Sequence, residues 1–337
     1  MINVAINGFG RIGRIVLRAG WKDKNINFVA INDLVDTKTL AHLLKYDSVH
    51  GKFSEEVTHS DGLLSIGKKK LSVFAERDPT KLPWKKLKID VVVESTGRFV
   101  NSKDANMHLK AGARKVLISA PCKCENKVCP VDTTTIVMGV NEKSYNKKKH
   151  HVVSNASCTT NCVAPLLKII HDAYGIKNCL FNTIHAYTAS ENIVDGPSKK
   201  IRLTRAAGVN IIPTTTGADT ATAEVIPELV GKIKGVAYRI PIIDGSVTDF
   251  SIETEKEITV EKVNKLIQKM ANSKFKNLVE FSQEELVSTD IIGNSSSSIF
   301  DSKMTHVVGK NYLKLVSWYD NEWGYSCRMI DMIKFIS

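Results

Sequence analysis

Two short stretches of this 337-residue chain carry residue types at spacings that can do chemistry. The first, Gly8-Phe9-Gly10-Arg11-Ile12-Gly13, fits G-x-G-x-x-G, follows a strand-like run at 4–7 and opens a helix candidate at 12–20. In that setting the first glycine permits a tight turn, the second lets backbone approach a pyrophosphate, and the third allows helix to pack closely on strand. Asp33 lies about twenty residues past Gly13, at the end of the next strand-like run, where a carboxylate accepts ribose hydroxyls and repels a 2′-phosphate. A glycine turn that merely packs a helix does not call for that acid, so the pattern predicts NAD in preference to NADP. The second stretch, Ser154-Asn155-Ala156-Ser157-Cys158-Thr159-Thr160-Asn161-Cys162, puts a cysteine just ahead of a helix candidate at 161–174. The helix dipole, free backbone N–H groups and the neighbouring Ser157, Thr159 and Thr160 hydroxyls all favour a thiolate there. A thiolate there can add to a carbonyl carbon and carry the substrate as a covalent intermediate. Cys158 is the candidate nucleophile. The plainer fate of a cysteine is a small buried hydrophobe, expected for Cys179 and Cys327.

The elements that must position these residues follow from periodicity. Strand-like runs at 4–7, 28–32, 91–94 and 116–119 alternate with helix candidates at 12–20 and 102–111, which implies βαβ units and a doubly wound parallel sheet over residues 1–157. Beyond that the texture shifts to period-two runs at 237–241 and 247–253 followed by an amphipathic stretch at 260–272. These predict an α+β second domain, 158–321, with a mostly antiparallel sheet. The closing segment 322–337 has apolar residues at helical spacing and is expected to pack back on the first domain, while 295–298 is read as a loop.

Composition excludes several classes. Hydrophobic residues at 43% and charged residues at 24% are those of a folded globular chain. No apolar run approaches the roughly 20 residues of a membrane span, and Met1 leads directly into a strand pattern, so a cytoplasmic protein without a signal peptide is expected. The net charge of +12 comes from scattered lysine, densest at Lys68-Lys69-Lys70 and Lys147-Lys148-Lys149. Without interleaved arginine and aromatics these runs argue against nucleic acid as the main partner. An odd set of seven cysteines in such a compartment predicts reduced thiols and no disulfide. Cys122, Cys124 and Cys129 could take zinc with a histidine, but they lack a C-x₂-C pair and are read as a reduced surface loop with no metal. His108, His150 and His151 are read as surface residues.

The Cys158 segment resembles the catalytic signature of the glyceraldehyde-3-phosphate dehydrogenase family. The same family's order is kept by Ala5-Ile6-Asn7-Gly8-Phe9-Gly10-Arg11-Ile12-Gly13-Arg14, Lys45-Tyr46-Asp47-Ser48-Val49-His50-Gly51, Glu94-Ser95-Thr96-Gly97, Asn210-Ile211-Ile212-Pro213 and Trp318-Tyr319-Asp320-Asn321-Glu322-Trp323-Gly324-Tyr325, so the likeness spans nearly the whole chain. It implies a Rossmann-type NAD domain joined to a catalytic domain and assembled as a homotetramer. The implied activity is NAD-dependent oxidation of glyceraldehyde 3-phosphate with inorganic phosphate to 1,3-bisphosphoglycerate, in glycolysis or gluconeogenesis. By resemblance alone, His185 is the base beside Cys158 and Cys162 a non-catalytic companion. Thr188, Ser190 and Arg239 then line the substrate-phosphate pocket, and Ser157, Thr159, Thr216 and Gly217 the inorganic-phosphate pocket. Arg11 and Ile12 meet the pyrophosphate, Arg77, Ser95, Thr96 and Ser119 line the cofactor groove, and Asn321 holds the carboxamide. Two departures bear on phosphate. Leu203 follows Arg202 where relatives often pair two arginines, and Asp219-Thr220 stands where an alanine and a lysine are usual. Arg239 is thus expected to matter to a phosphorylated aldehyde far more than to an unphosphorylated one. Rival functions are a sister dehydrogenase of erythrose 4-phosphate, or a non-catalytic NAD- or nucleic-acid-binding paralogue, against which the joint presence of Cys158 and His185 argues.

Overall fold

Valine and isoleucine crowd the strand-like runs of the first half, and the computed structural model, which describes residues 1–124 and 129–337, pairs those runs side by side in parallel. One unit comprises residues 1–136, 143–156 and 326–337. Its elements in chain order are β1 (Ile2–Asn7), α1 (Arg11–Gly20), β2 (Ile26–Asn32), α2 (Thr37–Lys45), β3 (Val57–Ser60), β4 (Leu63–Ile66), β5 (Lys69–Phe74), β6 (Val91–Glu94), α3 (Ser102–Lys110), β7 (Lys115–Ile118), β8 (Thr133–Thr135) and β9 (Val152–Ser154). They form one sheet of order β3-β4-β5-β2-β1-β6-β7-β9-β8, antiparallel only through β3, β4 and β5. Val4, Ile6, Val92, Val93, Val116 and Leu117 are wholly buried, as strands covered on both faces require. Because β1 lies between β2 and β6, the chain leaves it in one direction and later returns on the other side. The crevice at such a reversal, beyond the carboxyl end of the strand, is where doubly wound sheets bind ligands, and Gly8 begins there. Residues 326–337 belong to this unit, where a Cβ on Gly20 of α1 would stand 2.5 Å from Ile330 Cδ1.

The second unit, residues 137–142 and 157–325, holds α4 (Cys158–Tyr174), β10 (Ile176–Ala186), β11 (Ile212–Thr215), α5 (Ala218–Val225), β12 (Ile233–Ile240), β13 (Ser246–Thr254), α6 (Val260–Ala271), β14 (Val279–Ser282), β15 (Ser298–Asp301), β16 (His306–Val308), β17 (Tyr312–Tyr319) and the start of α7 (Trp323–Ile336). Its sheet runs β11-β12-β10-β13-β17-β15-β14, with β16 on β17. All pairs are antiparallel except β10 with β12 and β14 with β15. No helix among the described residues is long and apolar enough to cross a membrane.

Several expectations need correction. His108 is not a surface residue. It is wholly buried, because Trp84 Nε1 donates to its Nδ1 at 3.0 Å and Glu94 Oε2 lies 3.2 Å from its Nε2. Cys327 is half-buried and not core. Ser298 already belongs to β15. Cys124 and Cys129 are joined by a disulfide where reduced thiols were expected, since their Cα atoms stand 4.8 Å apart, within the reach of that bond. Of the loop containing them, 125–128 lies outside the described residues.

Candidate active site

The cofactor crevice is built from glycine geometry. Gly8 adopts φ +90°, and a Cβ there would strike Thr96 N at 2.6 Å, while a Cβ on Gly13 would strike Gly8 O at 2.2 Å. Gly10 has nothing within 4 Å of such a Cβ, so the face it offers is open for a pyrophosphate to approach. One pocket gathers Gly8, Gly10, Asp33, Arg77, Ser95 and Thr96 with Asn7, Asn32 and Phe99. Arg11 points its guanidinium away, to Asp47, which leaves its backbone at the start of α1 as the part available to an anion. Asp33 Oδ2 accepts from Phe9 N at 2.7 Å and Oδ1 from Val35 N at 3.0 Å, fixing the carboxylate at the rim of the pocket. Of the other expected groove residues, Ile12 and Gly13 lie in the first turn of α1, and Ser119 follows β7 with its N–H donating to Glu94 O at 2.9 Å. Sequence reasoning missed the buried network beneath it. Glu94 Oε2 accepts from Asn7 Nδ2 at 2.5 Å, Glu94 Oε1 accepts from Thr96 N at 2.9 Å, and Asn7 Oδ1 accepts from Asn32 Nδ2 at 2.7 Å. Replacing Asp33 with glycine is expected to raise kcat/KM for NADP relative to NAD by at least roughly tenfold, one removed charge clash being about 1.4 kcal/mol. Equal use of both cofactors by the unmodified protein would remove Asp33 from this role.

The chain turns sharply just ahead of α4, the longest helix among the described residues. Ala156 takes φ +52°, an unfavourable conformation for a residue with a side chain, and Ser157 then caps α4 by accepting from Thr160 N at 3.0 Å. Helix α4 therefore starts three residues earlier than its apolar pattern does, and Cys158 is its first residue. Nine strand residues precede His185 on β10, and its Nε2 lies 3.5 Å from Cys158 Sγ. His185 Nδ1 has two competing neighbours, Ala186 O at 2.7 Å and Arg239 Nη1 at 2.6 Å. The carbonyl only accepts, so a bond to it puts the proton on Nδ1 and turns the Nε2 lone pair toward sulfur. The guanidinium only donates, so a bond from it puts the proton on Nε2 instead. Arg239 sits on β12 in register with His185 and also approaches Glu191, Nε to Oε1 at 3.5 Å.

Glu191 is a second residue the sequence did not reveal. Its Oε2 accepts from Thr188 N at 2.8 Å and Thr188 Oγ1 at 3.1 Å, and its Oε1 accepts from Ser190 Oγ at 2.8 Å, so one buried carboxylate orients both hydroxyls and the arginine. Tyr319 is a third. Its hydroxyl lies 2.9 Å from Thr159 Oγ1 and 2.6 Å from Thr183 Oγ1, and its ring stands edge-on to His185. Tyr319 thus holds the Thr159 hydroxyl in place beside Cys158. Ser246 Oγ donates to Asn321 Oδ1 at 2.7 Å, which leaves the Asn321 amide nitrogen as the free donor. Thr216 and Gly217 form the turn that opens α5, with Ala218 N donating to Thr216 Oγ1 at 3.2 Å. The unusual acid Asp219 is not a bare charge, because its carboxylate pairs with Lys234 at 2.9 Å and accepts from Thr220 N at 2.7 Å.

Burial governs the titration. It pushes the Cys158 thiol up, against Arg239 and the hydrogen bonds of Thr159, which pull it down. Burial, seconded by the Arg239 charge, holds His185 down to about 3. Burial thus opposes charge on both groups, on the thiol as thiolate and on the imidazole as imidazolium. Burial likewise pushes Cys162 and Cys179 up to about 12 and silences both. Between pH 6.5 and 3 an unfolded His185 takes a proton that the folded one refuses, so the folded state loses stability as pH falls through this window. Urea midpoints from pH 7 to 4.5 should fall more for the parent than for His185→Asn, by roughly 3 kcal/mol of unfolding free energy. Parallel decline of the two would show that His185 titrates normally.

A doubly wound unit with a pyrophosphate-ready first turn, and a second unit with a thiol facing an imidazole at a helix start, are the parts of a nicotinamide-dependent oxidoreductase with a thiol nucleophile. Residues 2–102 match the family profile "Glyceraldehyde 3-phosphate dehydrogenase, NAD binding domain", and residues 157–321 the matching C-terminal domain. The chain is 50% identical over 336 residues to glyceraldehyde-3-phosphate dehydrogenase of Geobacillus stearothermophilus, covering 100% of this chain and 98% of that one. Identity to glyceraldehyde-3-phosphate dehydrogenase 2 of Streptomyces avermitilis is 48%, over 99% of this chain and 98% of the relative. It is also 48% to the enzyme of Priestia megaterium, over 100% and 98%. The chain belongs to the glyceraldehyde-3-phosphate dehydrogenase family.

Proposed function

We propose that this protein oxidises glyceraldehyde 3-phosphate to 1,3-bisphosphoglycerate through a thioester on Cys158, with NAD as oxidant. The observation that carries the reading is the 3.5 Å approach of Cys158 Sγ to His185 Nε2 at the first residue of α4. The crevice fits the cofactor: Gly10 is open, Gly8 and Gly13 tolerate no Cβ, and Asp33 stands at the rim. Gly8, Gly10, Gly13 and the backbone of Arg11 and Ile12 hold the pyrophosphate, Asp33 the adenosine ribose, and Arg77, Ser95, Thr96 and Ser119 line the groove. The amide nitrogen of Asn321, freed by Ser246, donates to the carboxamide. NAD, when bound, accepts the hydride and brings a cationic ring.

Arg239, Thr188 and Ser190, organised by Glu191, bind the substrate phosphate. An arriving phosphate draws the guanidinium from His185 Nδ1, and Nδ1–H then bonds Ala186 O. His185 Nε2, now a lone pair, takes the proton released as sulfur bonds the aldehyde carbon. Loss of hydride from that carbon leaves the thioester. Phosphate, bound by Ser157, Thr159, Thr216 and Gly217, attacks the thioester carbon, and the sulfur departs as thiolate. Residues 1–157 with 322–337 act as the cofactor domain and 158–321 as the catalytic domain. Exposed Ile201, Val209, Ile211 and Val230, at 83, 79, 68 and 68% accessibility, support a homotetramer whose copies cover this apolar surface, working in the cytoplasm. Light scattering should return four times the 37.3 kDa chain mass.

The test is NADH formation from glyceraldehyde 3-phosphate and from erythrose 4-phosphate, with and without phosphate. Expected are a stoichiometric burst without phosphate, steady turnover with it, and a higher kcat/KM for the triose. A higher value for the tetrose, or turnover indifferent to phosphate, would overturn the reading.

A further inference from the structure

We propose that Cys122, Cys124 and Cys129, once reduced, form a three-thiolate site for a thiophilic d¹⁰ cation, Zn²⁺ or Cu⁺. The middle of Cys122-Lys123-Cys124 is pinned: Lys123 N donates to Val100 O at 2.9 Å, and Lys123 bridges Asn101 in parallel fashion. Cysteines on either side of a residue held in extended pairing leave the chain on the same side, and their Sγ atoms stand 3.9 Å apart. Two thiolates about 2.3 Å from one zinc at a tetrahedral angle are separated by roughly 3.8 Å, so this pair already has the span of two metal ligands. Cys129 returns to the same place, and all three Sγ atoms lie within 4.8 Å of one another. Each is half-buried, open enough for an ion to enter, and a cavity lined by Asn101, Asp104, Lys123, Cys124 and Pro130 adjoins the cluster.

The missing C-x₂-C pair no longer excludes a metal, because C-x-C with a third cysteine five residues on achieves the same convergence. The Cys124–Cys129 disulfide is the oxidised form of the cluster. A dithiol reductant gives two electrons and two protons to that S–S bond, becoming a disulfide itself and leaving two thiols. Binding of Zn²⁺ then displaces three thiol protons to solvent and gives a monoanionic trithiolate complex. Among the described residues no carboxylate or imidazole joins the three sulfurs, which by themselves satisfy Cu⁺, whereas Zn²⁺ takes a fourth ligand to complete its tetrahedron.

The experiment uses the full chain carrying Cys158→Ser, which removes the competing active-site thiol, reduced and stripped of metal. Zn²⁺ is titrated against a chromogenic chelator, and Cu⁺ is titrated anaerobically against a bathocuproine ligand. Retention of one equivalent of either ion is expected. It should vanish when Cys122, Cys124 and Cys129 are all serine, with NAD binding unchanged as the check on folding. Zinc retained alone identifies the four-coordinate site, and copper retained alone the three-coordinate one. If the triple variant fails to bind NAD, Cys122→Ser, which spares the disulfide pair, must still weaken retention at least roughly tenfold. No retained equivalent of either ion, or equal retention by the cysteine-free loop, would sink the proposal.

Discussion

Cys158→Ser is expected to lose at least about four orders of magnitude in kcat while binding NAD within a few-fold of the parent. The substitution is nearly isosteric at the first position of α4, so the fold has no reason to change. Serine fails on chemistry: its hydroxyl ionises far less readily than a thiol, and His185, held at about 3 by burial and Arg239, is too weak a base to make up the difference. Turnover numbers and NAD titrations on the purified variant check the prediction. Substantial remaining turnover, or loss of activity on alkylation of another cysteine in the parent, would move the nucleophile elsewhere.

Arg239→Leu should lower kcat/KM for glyceraldehyde 3-phosphate by roughly one hundredfold and, contrary to what the sequence implied, should also slow unphosphorylated glyceraldehyde by roughly tenfold. A charge-assisted bond to the phosphate contributes about 1.5–3 kcal/mol, which sets the first figure. The second arises from position. Arg239 Nη1 lies 2.6 Å from His185 Nδ1, and the Arg239 charge pulls the buried Cys158 thiol down, so its removal disturbs proton transfer for every aldehyde. Arg239→Lys, which keeps charge without the fork, should recover part of the loss for the unphosphorylated substrate. An unchanged rate with glyceraldehyde would reduce Arg239 to a phosphate ligand.

The two signals legible in sequence were local ones. Gly8, Gly10, Gly13 and Asp33 fall together because a strand, a turn and a helix carry them in one unbroken segment, and the parallel sheet follows from valine-rich runs at regular intervals. Cys158 is marked by its neighbours, yet the start of α4 is not, because its first residues, Cys158, Thr159 and Thr160, are held by the Ser157 cap and not by an apolar stripe. His185, Glu191 and Tyr319 come from separate strands and loops, and Tyr319 meets Thr159 across 160 positions, a distance that no periodicity encodes. Only resemblance selected His185. His108 was misread because its burial depends on bonds to Trp84 and Glu94, and the cysteine loop because compartment was allowed to decide oxidation before geometry did.

The network of Trp84, His108 and Glu94 has a consequence for how this chain can evolve. Trp84 donates to His108 Nδ1, which obliges His108 Nε2 to carry the proton toward Glu94 Oε2, and Glu94 in turn holds Asn7 and Thr96 at the mouth of the cofactor crevice. All three side chains are fully buried, so losing any one strands a polar partner at about 1–3 kcal/mol, whereas exchanging Trp84 and His108 together for apolar groups of the same shape leaves Glu94 its bonds from Asn7 and Thr96. Substitution histories at these positions are therefore coupled: Trp84 and His108 can be exchanged as a pair, Glu94 only together with the groups it holds, and single-step drift passes through a less stable protein with a loosened cofactor mouth.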